Sequence, residues 1–370
     1  MKPIIISTII ATLLAACNSA PQKVSGGDER ITFVGRTDRS VADAPKQWAA
    51  GAYFTFAFRG KECIIDFNDE NLYGEKYNII EVVVDEQPSQ KFYTHGIRNR
   101  LIITAEEIVK EQADSGLNIL QYVGLKGNGE HHVTVCRDTE TGMGYTQLLS
   151  VGAQEVLKWT PATNLKIEFI GNSITCGAEA DTTTVPTTNY KWGDWHRAYY
   201  GYGPRTARNL NAQWALTSVS GIGLIHSCCD MKVTMPQVYD KYVLCEDKID
   251  YNFTDFRPDV ICSCLGQNDG IQDSTTFCSA YVDFIKNVAN HNPQAKHIVL
   301  LSSPMDNGEL SEWLRPVLIS VAEQLKADGL TNVSTFFFSQ AWNNGGADHP
   351  STEEHAQIAD ELTQYLKTIL

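Results

Sequence analysis

From about residue 31 to 157 the chain alternates short apolar runs with clusters of Gly, Asn and Asp. The runs Tyr53–Phe58, Cys63–Phe67, Tyr77–Val84, Leu101–Ile103, Asn118–Val123, His132–Val135 and Leu148–Val151 are β-branched or aromatic and of strand length. Within this stretch only Glu106–Gln112 has helical character. Many short strands at this spacing predict an all-β domain, a β-sandwich of jelly-roll type. Trp159-Thr160-Pro161-Ala162-Thr163 breaks the pattern, and beyond it the period changes. Strand-like runs at Lys166–Ile170, Ala215–Ser220, Val260–Leu265, His297–Ser302 and Val333–Phe338 now alternate with helical stretches, among them Tyr281–Asn290, Trp313–Ala327 and Glu353–Ile369. Such alternation predicts a mostly parallel five-stranded sheet covered by helices on both faces. Two domains are expected: an all-β sandwich over residues 31–157 and an α/β/α domain over residues 164–370.

The start of the chain reads differently. Met1-Lys2 is basic, Pro3–Leu13 is apolar, and Leu14-Ala15-Ala16-Cys17 closes the run with small residues. Residues 1–16 are expected to be a signal peptide. The Cys after Leu-Ala-Ala resembles a bacterial lipobox, which implies Cys17 as the lipidated first residue of the mature chain. The apolar run is short for a membrane span of ~20 residues. Residues 17–30 are polar with Gly and Ser, as a tether would be. The expectation is an exported protein, lipid-anchored to a bacterial membrane.

Composition narrows the function. The chain has 370 residues, with 30 basic against 44 acidic side chains and a formal net charge of −14. That balance argues against a nucleic-acid partner and against contact with an anionic membrane surface other than through the anchor. Ten cysteines are present, and if Cys17 is lipidated an odd number remains, so they cannot all pair. Cys262 and Cys264 alternate with Ile261, Ser263 and Leu265 and read as small core residues. No Cys or His spacing suits zinc, so no metal site is expected.

In parallel sheets the chemistry gathers at the carboxyl ends of the strands. The first strand of the second domain ends in Gly171-Asn172-Ser173-Ile174-Thr175-Cys176-Gly177, which presents a Ser at the rim before a helix or loop. The second ends in Ser220-Gly221-Ile222-Gly223, where glycine lets a backbone N–H approach a substrate oxygen. The third ends in Gly266-Gln267-Asn268-Asp269 and brings a carboxamide to the same rim. Asp348-His349-Pro350-Ser351 precedes the last helix, with Ser351 and Glu354 as a capping box. An aromatic-rich insertion over residues 179–202 includes Trp192 and Trp195, and Trp342 lies before the His loop. These rings either stack on sugars or pack the insertion in place. His196 and His226 suit surface or structural roles, and His355 sits inside the last helix.

Gly171-Asn172-Ser173, Gly221, Gly266-x-Asn268-Asp269 and His349-Pro350-Ser351 resemble the four ordered blocks of the SGNH, or GDSL-type, hydrolases. With a sandwich in front and the string Gly-Asn-Ser-Ile-Thr-Cys-Gly, the chain resembles carbohydrate esterase family 2. The resemblance implies removal of acetyl groups from plant polysaccharides such as xylan or glucomannan, with no metal or organic cofactor. It implies Ser173 as nucleophile, His349 as general base, and an oxyanion hole made by the backbone N–H groups of Ser173 and Gly221 with the side chain of Asn268. Two departures stand out: Asn172 replaces the usual Asp, and Gly346 occupies the position three before the His where many of these enzymes carry the orienting Asp. Asp348 would complete a triad; otherwise a backbone carbonyl orients His349 in a dyad. Two other functions fit the same residues: an esterase for another acyl group or a bacterial-wall glycan, and a non-catalytic glycan-binding lipoprotein.

Overall fold

The computed structural model describes residues 20–107, 116–161, 163–183, 190–246, 248–306 and 308–370. The expected signal peptide, Cys17 and most of the helix expected over Glu106–Gln112 lie outside the described residues.

Residues 22–157 form an all-β domain. Its axis is one strand, Tyr53–Asp69, in place of the two shorter runs expected from the sequence. The interruption at Arg59-Gly60-Lys61 is polar because the strand is exposed there; Gly60, at φ +134°, keeps the strand continuous where Gln154 approaches too closely for a Cβ. Its first part pairs with Glu130–Arg137 and its second with Arg98–Thr104, while Thr146–Leu157 runs antiparallel beside both. Leu117–Val123 pairs in parallel with Arg98–Thr104. Inward residues at alternate positions, including Phe56, Phe58, Ile65, Val82, Val84, Leu101, Ile103 and Val133, make one closed core. Of the tether expected over residues 17–30, residues 22–25 are a strand of this domain. Gln22–Ser25 adds a strand to Ser150–Ala153, because Val24 alternates inward and is buried in that core.

The second domain is built on β1 (Lys166–Gly171), β2 (Gln213–Ser218), β3 (Val260–Ser263), β4 (His297–Leu301) and β5 (Val333–Phe336). All neighbours are parallel, in the order β2-β1-β3-β4-β5. The helices α1 (Tyr202–Asn209) and α4 (Thr352–Ile369) cover one face, and α2 (Ser274–His291) and α3 (Glu309–Ala327) the other. Alternation along the strands sorts the side chains: Phe169, Leu216, Cys262 and Val299 face α1 and α4, whereas Ile170, Ile261, Ile298 and Leu300 face α2 and α3. Strand order reverses between β1 and β3, which is where a sheet of this topology opens a crevice at its carboxyl end.

The two domains share a core. Val34, Ala50, Tyr53 and Cys136 of the β-domain pack with Trp214, Leu216 and Tyr202. Arg36, 1% exposed, reaches across to donate to Thr217 Oγ1 (3.2 Å), the Lys241 carbonyl (2.6 Å) and the Tyr239 carbonyl (2.7 Å). The insertion is clamped in the same way, with Arg197 bonded to Glu81 (3.1 Å) and Asp181 (2.7 Å) and Lys91 donating to the Asp194 carbonyl (2.9 Å).

Candidate active site

β1 runs into the one-turn helix Ser173–Cys176 with no intervening loop. Gly171 is required for that turn, since a Cβ there would lie 2.0 Å from Thr175 Oγ1. Asn172 caps the helix, its Oδ1 accepting from Ile174 N at 3.2 Å. The amide therefore does the capping that a carboxylate at this position would do. Its other end, Nδ2, is buried with no partner among the described residues. Ser173 is the first residue of the helix, and its hydroxyl emerges at the sheet rim.

His349 comes to it from the far end of the chain. Its Nε2 lies 2.8 Å from Ser173 Oγ, and its Nδ1 lies 2.9 Å from the Ala347 carbonyl and 3.2 Å from the Gly346 carbonyl. A carbonyl only accepts, so Nδ1 carries the ring proton and Nε2 is left with the lone pair facing the hydroxyl. Burial pushes the imidazole below its usual 6.5; the two carbonyls act in the opposite direction, and the nearby His196 adds to the lowering.

The His loop owes its shape to two consecutive left-handed residues, Ala347 (φ +46°) and Asp348 (φ +58°), which turn the carbonyls of 346 and 347 toward the ring. Residues without glycine's freedom hold this conformation only when neighbours enforce it. Here Gly346 N donates to the Glu179 carbonyl (2.8 Å), Gly345 N to the His349 carbonyl (2.7 Å), and Thr352 N to the Ala180 carbonyl (2.9 Å). The expected capping box is present, with Glu354 N donating to Ser351 Oγ (3.2 Å) and Ser351 N to Glu354 Oε2 (2.8 Å).

Asp348 is corrected as the orienting acid. It is exposed, and among the described residues the ring nitrogen it would serve is bonded to carbonyls instead. Nor is there room for a carboxylate at 346. A Cβ on Gly346 would stand 2.5 Å from Glu179 Oε2 and 2.7 Å from the Trp195 ring.

Gly221 and Asn268 reach the same rim. Gly221 has φ +83°, its carbonyl accepts from Cys228 N at 2.8 Å, and its own N–H meets no acceptor among the described residues. Cys228 is disulfide-bonded to Cys229 in the turn that follows. Asn268 donates one amide hydrogen to the Ile222 carbonyl (2.9 Å), which leaves the second available. The adjacent Asp269 is buried and gathers the N–H groups of Leu224, Ile225 and His226 at 2.7–3.0 Å, so it shapes the loop that follows Gly221.

The aromatic candidates separate. Trp342 is 2% exposed, sits edge-on to Phe338 and donates its indole N–H to Gln357 Oε1 (3.2 Å); it belongs to the core under the His loop. Trp195 is 6% exposed, walls the space beside Gly346 and is roofed by Tyr190 at 3.8 Å and 10°. Both are therefore corrected as sugar platforms, because packing covers their faces. Trp192, 48% exposed and edge-on to His196, presents a surface, as does Tyr190. His226 is exposed, and His355 is buried, accepting from Tyr202 N at 3.2 Å. No pattern in the sequence singles out Glu140, whose buried carboxylate comes from the β-domain into this site and pairs with buried His196 (3.2 Å).

Known proteins share this architecture. A family model described as the carbohydrate esterase 2 N-terminal domain matches residues 33–162. The chain is 25% identical over 374 residues to an acetylxylan esterase / glucomannan deacetylase of Cellvibrio japonicus, covering 96% of this chain and 95% of that one. It is 28% identical over 350 residues to the cellulase/esterase CelE of Acetivibrio thermocellus, covering 92% of this chain but 39% of that longer protein. A solved family two carbohydrate esterase from Clostridium thermocellum, in complex with cellohexaose, superposes with a TM-score of 0.76 at 26% identity, covering 91% of this chain and 98% of that one. By its N-terminal domain, and by relatives matched along nearly its whole length, the chain is similar to the family 2 carbohydrate esterases, which are carboxylic ester hydrolases.

Proposed function

We propose that the protein is a serine-dependent O-acetyl esterase acting on acetylated hemicellulose, xylan or glucomannan, outside the cell and anchored through Cys17. The observation that carries the mechanism is the 2.8 Å contact between His349 Nε2 and Ser173 Oγ, with the opposite ring nitrogen held by carbonyls. Ser173 Oγ attacks the acetyl carbonyl while His349 Nε2 takes its proton. The oxyanion is met by the N–H groups of Ser173 and Gly221 and by Asn268. Collapse expels the sugar alkoxide, which His349 protonates, and leaves acetyl-Ser173. Water activated by the same nitrogen then releases acetate.

The substrate class is supported by the name of the Cellvibrio relative and by the exposed rings of Trp192 and Tyr190 beside the site. A neutral polysaccharide needs no basic groove, which suits a net charge of −14. The test is acetate release from acetylated xylan, acetylated glucomannan and acetylated bacterial-wall glycan. Release from either plant polymer is expected; release from the wall glycan alone would redirect the substrate, and none from any polymer would favour a binding lipoprotein.

The dyad makes a separate prediction. Asp348→Asn should keep kcat within about threefold of the parent, as expected for an exposed charge, whereas a loss of several decades would restore Asp348 as orienting acid. Catalysis needs neutral His349, so kcat/KM should be on its plateau above the imidazole pKa and fall as pH drops through it. Burial places that limb below 6.5 in both proteins.

A further inference from the structure

Glu140 precedes the short turn Thr141–Met143 at the edge of the β-domain and is 4% exposed. Its oxygens nevertheless serve the other domain. Oε2 accepts the backbone N–H of Ser220 at 2.6 Å and the Cys176 thiol at 3.6 Å, and Oε1 faces His196 Nε2 at 3.2 Å. These partners lie on three separate segments: the turn after β2, the nucleophile helix and the insertion. Burial works against the carboxylate's charge, but His196 and the Ser220 N–H hold its pKa below the ordinary range, so it is an anion and a strong acceptor.

The Ser220 contact matters because Gly221 comes next. A backbone N–H stabilises a developing oxyanion only if its direction is set beforehand. Glycine at φ +83° has no side chain with which to set it. The segment is gripped from both ends instead: Glu140 holds Ser220 N, and Cys228 N holds the Gly221 carbonyl at 2.8 Å. Among the described residues the Gly221 N–H between them meets no acceptor.

We infer that Glu140 is a positioning residue for the oxyanion hole, so that the β-domain completes the esterase site as well as accompanying it. The inference rests on the reading of Ser173 as nucleophile and Gly221 as oxyanion donor. Arg36 supplies the contrast: it staples the same two domains through Thr217, Tyr239 and Lys241 without touching the rim.

The experiment compares the full-length Glu140→Gln, Glu140→Asp and Arg36→Met variants with the parent on 4-nitrophenyl acetate, with thermal unfolding measured in parallel. Glu140→Gln is expected to lower kcat by about 10–100-fold with KM within about twofold, a partial loss of one oxyanion contact. Glu140→Asp keeps the charge on a shorter arm and should show the same split more mildly; it decides the matter if the Gln variant does not fold. Arg36→Met should lower the unfolding temperature and leave kcat near the parent value. Parent-like kcat in the folded Glu140 variants, a loss confined to KM, or an equal kcat loss in Arg36→Met would overturn the inference. Ser173→Ala in the same assay separates the two readings. If it is active, the nucleophile assignment fails; if it is dead while Glu140→Gln is fully active, only the role of Glu140 fails.

Discussion

Ser173→Ala is expected to reduce turnover of a small acetyl ester by about 10⁶-fold while the protein stays folded, the size of loss seen when a nucleophile is removed from a catalytic pair. The fold should survive because the hydroxyl is bonded to His349 and serves no cap: Asn172 caps the helix, and the turn into it depends on Gly171. His349 keeps both Nδ1 contacts when the hydroxyl is gone, so the base stays aimed at an empty position. Binding and the oxyanion donors also persist, which is why the residual rate should remain above that in water. Steady-state rates with 4-nitrophenyl acetate, together with the mass of the acid-quenched protein, check this. An acetyl adduct on the parent that is missing from the variant is the expected pair of results. Turnover in Ser173→Ala above about one per cent of the parent would remove Ser173 from the mechanism.

What could be read from the sequence follows the range of the interactions involved. The five strands of the second domain and the helices covering them are local periodicities, and residues 166–369 fold close to the ranges that alternation predicts. Three of the four blocks converge because strand order brings the ends of β1, β2 and β3 together, and the fourth, His349, comes in on the loop before α4. The roles that went unread depend on residues distant in sequence. Glu140 and Ser220 are 80 positions apart and belong to different domains, and nothing in the local pattern around Glu140 separates it from a solvated turn residue. The choice between Asp348 and a backbone carbonyl as partner of His349 depends on loop shape in the same way. The left-handed turn leaves Asp348 exposed and turns the 346 and 347 carbonyls toward the ring. Trp195 and Trp342 are indistinguishable in sequence from exposed platforms; only the contacts with Gly346, Phe338 and Gln357 place them inside.

Asn268→Ala should lower kcat by about 10²–10³, roughly 2.7–4 kcal/mol of transition-state stabilisation, with little change in KM. The amide has two hydrogens. One is committed to the Ile222 carbonyl at 2.9 Å, which fixes the plane of the group, and the other is free for the oxygen that becomes negative during attack. In the ground state that oxygen is a neutral ester carbonyl and a weaker acceptor, so the interaction grows as the tetrahedral intermediate forms and its loss falls on kcat. The loop beside it should persist, because Asp269 independently holds the N–H groups of Leu224, Ile225 and His226. Asn268→Asp sharpens the test. It preserves size but turns a donor into an anion facing the oxyanion, so it should be slower than the Ala variant, whereas a purely space-filling role predicts the reverse order. A loss expressed mainly in KM would instead assign Asn268 to substrate binding and leave the two backbone N–H groups as the oxyanion hole.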